Sequence, residues 1–357
     1  MPKDHPSNLF DRHQNKKALA KKKRAKDKHL RDSNSENDNG LTSQFENQDA
    51  LSDLPIALIA EVRNGIFKIN YNHELLEAKL GSDIPFECAK HLVVGDKVAI
   101  KIGENQSAIY IQGRHPRTSY LARMRGDSTR FSIFADDEHT VASNVDAAVI
   151  VATTAEPDFH PNLVDRYLII AQNGGVLPVI CLNKCDLTTD RPDILSYYRI
   201  NLGIPVIEVS AQTGAGIEDL KNLLRYKVSV LVGNSGVGKS TITNLFNSDL
   251  NIKTQEISSK NKEGRHTTTT TNLYEWAENS YIIDTPGIRS LGVTHIQRDS
   301  LKYYFPEFEI FQKNCKYNDC IHDHEPMVDC GVKMAIKNDQ INKYRYDSYK
   351  RMLEDLL

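Results

Sequence analysis

The sequence predicts a multidomain chain: a small β-barrel, then an α/β unit on a mostly parallel sheet, then a short, mainly helical unit pinned by a metal. Three observations predict it. Five short β-rich runs crowd between Leu54 and Arg114; from residue 141 apolar strand runs alternate with helical patterns; and Cys315, Cys320 and Cys330 gather in one short segment. Apolar content of 39% and charged content of 26% are ordinary for a globular chain. No apolar run approaches the ~20 residues of a membrane helix, and no signal-type segment opens the sequence. Six cysteines are too sparse for a disulfide framework, so a reducing, cytoplasmic setting is expected.

The net charge of −2 is unevenly spread. Residues 1–31 carry eleven Lys/Arg against three Asp, about +8, which leaves the remainder at about −10. The run "KKALAKKKRAKDKHLR" offers clustered charge to a polyanion such as ribosomal RNA. A solvated, disordered tail is the plainer reading for the free protein. The next stretch, "DSNSENDNGLTSQFENQDA", is polar, so residues 1–53 read as basic tail and linker.

Order is expected from Leu54. The runs "PIALIAEV", "GIFKINY", "ELLEAKL", "VVGDKVAIKI" and "SAIYIQGR" are separated by turn signals at Asn64-Gly65, Gly81, Gly95-Asp96 and Gly103. Five short strands over residues 54–114 fit a closed barrel of the OB-fold type. Such barrels often bind RNA. No dense aromatic platform is evident, so the pattern speaks for the fold more than for a ligand. Residues 115–140 form a basic connector.

Residues 141–298 alternate β and α. "VDAAVIVATT", "VLPVICLNK", "IPVIEVS", "VSVLVGNSG" and "SYIIDTPG" read as strands; "NLVDRYLIIAQNGG", "GIEDLKNLLRY" and "KSTITNLFNSD" read as helices. Such alternation implies a parallel sheet covered by helices on both faces. Residues 299–357 hold the cysteines and a polar, Tyr/Lys-rich stretch expected to be helical.

Four strand-end motifs carry chemistry. "GNSGVGKS" matches G-x-x-x-x-G-K-[ST] between an apolar strand and a helix. Gly233, Gly236 and Gly238 permit the close backbone approach with which Asn234, Ser235 and Val237 N–H groups wrap phosphates. Lys239 supplies charge to the β/γ-phosphates, Ser240 a hydroxyl to Mg²⁺, and Thr241 closes the motif. In "DTPG", Asp284 can hold Mg²⁺ through water and the Gly287 N–H can reach a γ-phosphate. In "NKCD", Asp186 can accept from both guanine donors, an arrangement adenine lacks. Asn183 can meet the base edge and brace the phosphate loop, the Lys184 stem can lie over the base, and Cys185 fills the variable position. In "SAQTGAG", Ser210 and Ala211 offer a backbone N–H to guanine O6.

With "GRHTTTT" at Gly264–Thr270, these are the five motifs of a GTPase in an unusual order. The two base motifs precede the phosphate loop, which begins fifty residues after Asn183. A circular permutation accounts for this, because moving the termini leaves every strand and the pocket in place.

These motifs resemble the circularly permuted, ribosome-associated GTPases of the RsgA (YjeQ) family over about Leu54 to Leu357. The resemblance implies an N-terminal OB-fold, a permuted P-loop GTPase domain and a C-terminal zinc domain. It also implies binding to the small ribosomal subunit late in its maturation, with subunit-stimulated GTP hydrolysis. Cys315-x4-Cys320-x-His322-x7-Cys330 supplies three thiolates and an imidazole for one structural Zn²⁺. The last interval is longer than the family's, so His324 rivals His322 and Asp329 stands outside them. The Cys-x-His match favours His322. Ile288 follows DTPG where Ras-like enzymes carry a water-orienting glutamine. His266 is then the candidate catalytic group, against the plain reading of an exposed loop histidine. Thr268 is the chosen switch-one ligand of Mg²⁺ among Thr267–Thr270. Permutation also tethers switch two directly to the metal unit.

The expectation is a cytoplasmic, monomeric GTPase whose partners are GTP/GDP and the small subunit with its rRNA. Its rivals are a permuted GTPase acting on another RNA and a GTP-sensing RNA-binding module with negligible turnover.

Overall fold

The computed structural model describes residues 45, 48–63, 65–103, 108–122, 140–246, 271–284 and 296–356. Five strands form the barrel: β1 (Ile56–Arg63), β2 (Ile66–Tyr71), β3 (Glu74–Leu80), β4 (Lys97–Ile102) and β5 (Ile109–Arg114). β1 pairs with both β2 and β4, β2 with β3, β3 with β5 and β5 with β4, so the ring closes. Alternate residues Ile59, Phe67, Ile69, Val98, Ile100 and Ile111 fill the interior. The OB-type expectation stands.

Order starts before Leu54. A short helix α1 (Gln48–Leu51) and Phe45 plug the barrel, both Phe45 and Leu51 being buried. Gly113 makes room for them: a Cβ there would lie 2.6 Å from the Phe45 carbonyl oxygen. The end of the expected linker is therefore part of the barrel. A second helix, α2 (Phe86–Lys90), buries Cys88 and Ala89 in the same core.

β6 (Tyr120–Ala122), in the expected connector, pairs with β7 (Thr140–Ser143), at the start of the expected GTPase unit. The joint between barrel and connector is dry. Asp96, fully buried, accepts from Arg117 and from the Ser143 hydroxyl at 2.7 Å each. Such a satisfied buried carboxylate fixes the two units against each other.

The α/β unit follows. Its strands are β8 (Ala147–Thr153), β9 (Leu177–Asn183), β10 (Val206–Glu208), β11 (Val228–Val232), β12 (Asn272–Ala277) and β13 (Ser280–Asp284). Their order is β10-β9-β8-β11-β13-β12, parallel except for β12. β8 is buried along its whole length, as a central parallel strand must be. Helices α3 (Pro161–Asn173), α4 (Ile194–Ile200), α5 (Ile217–Leu224) and α6 (Lys239–Phe246) cover its faces. Asn272 of β12 pairs with Glu61 of β1, so this sheet runs on into the barrel.

The C-terminal unit consists of short 3-10 turns, α7 (Glu309–Gln312), α8 (Gly331–Lys337) and α9 (Lys343–Glu354). It packs on α3 and shares its core: Phe305, Phe308 and Tyr349 join Leu168, Ile169 and Tyr198 in one apolar cluster. A buried network seals the contact. Arg345 pairs with Asp165 of α3 and, at 2.7 Å, with Glu307, while the Tyr198 hydroxyl donates to Asp165 at 2.7 Å.

Candidate nucleotide and metal sites

The phosphate loop leaves the end of β11 against β8. Gly233 has φ of +141°, and a Cβ there would strike the Val151 carbonyl oxygen at 2.3 Å. Gly238, at φ of +93°, would strike the Asn183 amide nitrogen at 2.3 Å. A side chain at Gly233 would have to move backbone, and one at Gly238 would displace the Asn183 amide and strain its own φ. Val237 is buried and anchors the loop, while Ser235 and Gly236 are exposed and Asn234 is half-buried. The Lys239 ammonium donates to the Gly233 and Asn234 carbonyls at 2.9 and 2.5 Å. Ser240 and Thr241 are exposed in the first turn of α6. On α3, burial raises the Tyr167 phenol above its ordinary value, and a backbone hydrogen bond from Gly233 opposes the rise.

The base-side motifs are tied to this loop by one side chain. Asn183 ends β9 and is 1% exposed. Its Nδ2 donates to the Val237 carbonyl at 2.8 Å, and its Oδ1 accepts from the Ala211 N–H at 3.0 Å. One amide hydrogen remains for a base edge. Asn183 thus links the end of β9 to the phosphate loop. Ala211, expected to offer its N–H to the base, gives it to Asn183 instead.

Lys184 takes φ of +62° as the chain turns out of β9, and its ammonium reaches the Glu156 carbonyl. The Cys185 N–H donates to Val209 at 3.1 Å, which leaves Asp186 exposed at the turn's outer edge. Below it, the Ser210 hydroxyl accepts from the Thr213 N–H at 3.1 Å. Glu156 had no sequence signal, because its contact uses a backbone oxygen.

Asp284 ends β13, the strand beside β11. It is exposed at the strand end, yet the protein crowding its carboxyl raises it above the usual range, and Lys239 opposes that rise. Gly287, His266 and Thr268 lie outside the described residues.

The second site is in the C-terminal unit. The donor atoms of Cys315, Cys320, His322 and Cys330 all lie within 4.8 Å of one another. His322 Nδ1 faces the three sulfurs at 3.7, 3.2 and 3.5 Å, and Sγ of Cys320 and Cys330 are 3.8 Å apart. Neither His324 nor Asp329 belongs to this group. His322 adopts φ of +62°, and Glu325 fixes its loop by accepting from the N–H groups of Ile321 and Asp323 at 2.8 and 2.9 Å. Burial, with Lys302 nearby, pushes the His322 imidazole down to about 4, which keeps it neutral and able to ligate. Burial raises the Cys320 thiol, so a bound cation is what would hold it as thiolate.

The family model described as RsgA GTPase matches residues 114–294, about half of the chain. This chain belongs to the RsgA GTPase family. It is 35% identical over 269 residues to the small ribosomal subunit biogenesis GTPase RsgA of Flavobacterium psychrophilum, covering 74% of this chain and 80% of that protein. Against the RsgA of Clostridium perfringens it is 37% identical over 294 residues, covering 82% and 95%. The crystal structure of YjeQ from Thermotoga maritima superposes with TM-score 0.65 at 29% identity, over 85% of this chain and 98% of that one. YloQ, a circularly permuted GTPase, gives 0.61 at 25% identity, over 86% and 96%. The three-unit, permuted architecture of this RsgA-family chain is thus that of solved relatives. Among the described residues no helix is long and apolar enough to cross a membrane.

Proposed function

We propose that this RsgA-family GTPase binds the small ribosomal subunit, checks or assists its late maturation, and hydrolyses GTP to GDP and phosphate faster when bound. The observation that carries the reading is the Asn183 amide, which joins the guanine motif, the "SA" turn and the phosphate loop in one buried constellation. Two relatives named for small-subunit biogenesis extend it to the partner.

In the proposed mechanism Asp186 selects guanine and the Lys184 stem covers the base. Backbone N–H groups from Gly233 to Lys239 cradle the phosphates, and the Lys239 ammonium swings from its carbonyls to the β/γ-phosphates. Ser240, with Thr268, would hold Mg²⁺ directly, and Asp284 through water; the cation would neutralise charge building on the phosphates. The Gly287 N–H would meet the γ-phosphate. Because Ile288 cannot orient water, His266 takes that role once the subunit is bound.

Zn²⁺ is the metal proposed for the C-terminal site. Sulfurs about 2.3 Å from a tetrahedral zinc stand about 3.8 Å apart, and Cys320 and Cys330 meet that separation. The proposed division of labour keeps the GTPase unit at 141–298 and the zinc unit at 299–357, and extends the barrel of 54–114 back to Phe45. The protein would act in the cytoplasm as a monomer that contacts rRNA.

The test is GTP turnover with and without purified small subunits. Stimulation by orders of magnitude is expected, and His266→Ala should keep GTP affinity and subunit binding while losing most of it. Turnover unchanged by subunits would overturn the reading.

A further inference from the structure

The loop from Thr154 to His160 joins the end of β8 to the start of α3, and no motif marks it as part of the nucleotide site. It nevertheless touches both halves of that site. The Lys184 ammonium of the guanine motif donates to the Glu156 carbonyl. Pro157 Cδ lies 3.9 Å from where a Cβ on Gly236 would stand, and Pro157 lines one cleft with Asn234 and Val237 of the phosphate loop.

The loop is held at its far end and across its middle. The His160 carbonyl accepts from Leu163 and Val164 at 3.1 and 3.2 Å as α3 begins, and Phe159 packs against the same core that receives Cys185. Across the middle, the Thr153 hydroxyl donates to the Pro157 carbonyl at 2.5 Å. Thr153 ends β8 and is 1% exposed. Its bond spans Glu156, which takes φ of +51°. A glutamate holds that left-handed conformation only when its surroundings impose it. The Glu156 side chain is exposed, so the aim of its carbonyl depends on the Thr153 hydroxyl and not on its own carboxylate.

We propose that Thr153 is a positioning residue for GTP and GDP, acting through the Glu156 carbonyl and Lys184. The hydroxyl closes the turn, the turn aims the carbonyl, and the carbonyl pins the ammonium. The lysine stem is then laid out for the base before nucleotide arrives. A free lysine stem loses rotamer freedom when a base settles against it. A stem already pinned at its tip has lost that freedom in advance, so nucleotide binds more tightly and leaves more slowly. The effect belongs to the ring face, whereas Asp186 reads the ring edge. The inference rests on the proposed covering of the base by Lys184.

The test is the release of fluorescent mant-GDP from the full chain, chased with unlabelled GDP. Valine at 153 keeps the shape and removes the donor, and serine keeps the donor. Thr153→Val should release about fivefold faster, the scale of one intramolecular hydrogen bond, while Thr153→Ser should release at the wild-type rate. Lys184→Ala should also release faster. Adding Thr153→Val to it should change nothing further, because the hydroxyl then has no ammonium to position. In Thr153→Val the affinities for GDP and for IDP, which lacks the exocyclic amine, should fall by the same factor. Wild-type release from Thr153→Val, release from Thr153→Ser as fast as from Thr153→Val, effects that multiply in the double variant, or a loss confined to GDP would each overturn the role. Should Lys184→Ala itself bind GDP as the wild type does, the covering of the base in the proposed function fails. Should Lys184→Ala weaken binding while Thr153→Val does not, only the role of Thr153 fails.

Discussion

Asn183 shows how much one amide can organise. It is buried, and each end satisfies a backbone group of a different motif. Asn183→Ala leaves the Val237 carbonyl and the Ala211 N–H unpaired in a dry place, at about 1–3 kcal/mol. GTP and GDP affinity should both fall by about tenfold or more by calorimetry, and an unchanged affinity would remove the brace from the account. Asp186 acts differently, because it is exposed and, among the described residues, no side-chain hydrogen bond or ion pair engages it. Asp186→Asn should therefore leave the melting temperature in place and shift preference from guanine to xanthine nucleotides. His322 gives the pH dependence. Its imidazole is depressed from the usual ~6.5 to about 4. A depressed group contributes stability that is whole above the unfolded value and drains away as pH falls toward the folded one. The metal-free C-terminal unit should lose stability as pH drops from ~6.5 toward 4, as followed by its helical signal. His324→Ala should hold metal as the wild type does, while His322→Ala should not.

At the scale of elements, legibility tracked period. β1 to β5 were readable because apolar residues alternate between turn signals, and β8 because it is apolar throughout. The permuted motif order was readable because each motif sits at a strand end. β6 was missed: a strand of only three residues, Tyr120 to Ala122, is too short to show a period. Phe45 was missed for a similar reason, being one aromatic in a polar stretch, yet it is 4% exposed within the barrel core. Phe45→Ala should cost about 3 kcal/mol, seen as a lower denaturant midpoint of the barrel. A change below about 0.5 kcal/mol would return Phe45 to the linker. The pairing of β12 with β1 was beyond the sequence altogether. It joins segments some two hundred residues apart, and nothing local marks one strand as the other's partner.

For the whole molecule, the sequence suggested a metal unit hanging from switch two as a separate module. The structure makes it part of the GTPase body instead. Arg345 is 2% exposed and Asp165 is 0%, and the apolar cluster around them runs from the central sheet through α3 into α9. Breaking a buried pair by removing one partner strands the other charge, which typically costs about 3–5 kcal/mol. Asp165→Ala should thus destabilise both units together. Replacing both partners, Asp165→Leu with Arg345→Met, should recover much of the loss, because apolar groups of similar volume leave no charge buried. Metal offers a second handle on the same coupling. Trp276 is the single tryptophan and lies on β12, packed against a core cluster separate from the one that holds Cys320 and Cys330. Its fluorescence therefore reports the GTPase sheet alone. In a shared core, Cys320→Ser should lower the Trp276 unfolding midpoint by several degrees in step with loss of C-terminal helix. Were the units separate modules, the Trp276 transition would stay at its wild-type temperature while the helical signal melted early, and the shared-core account would fail.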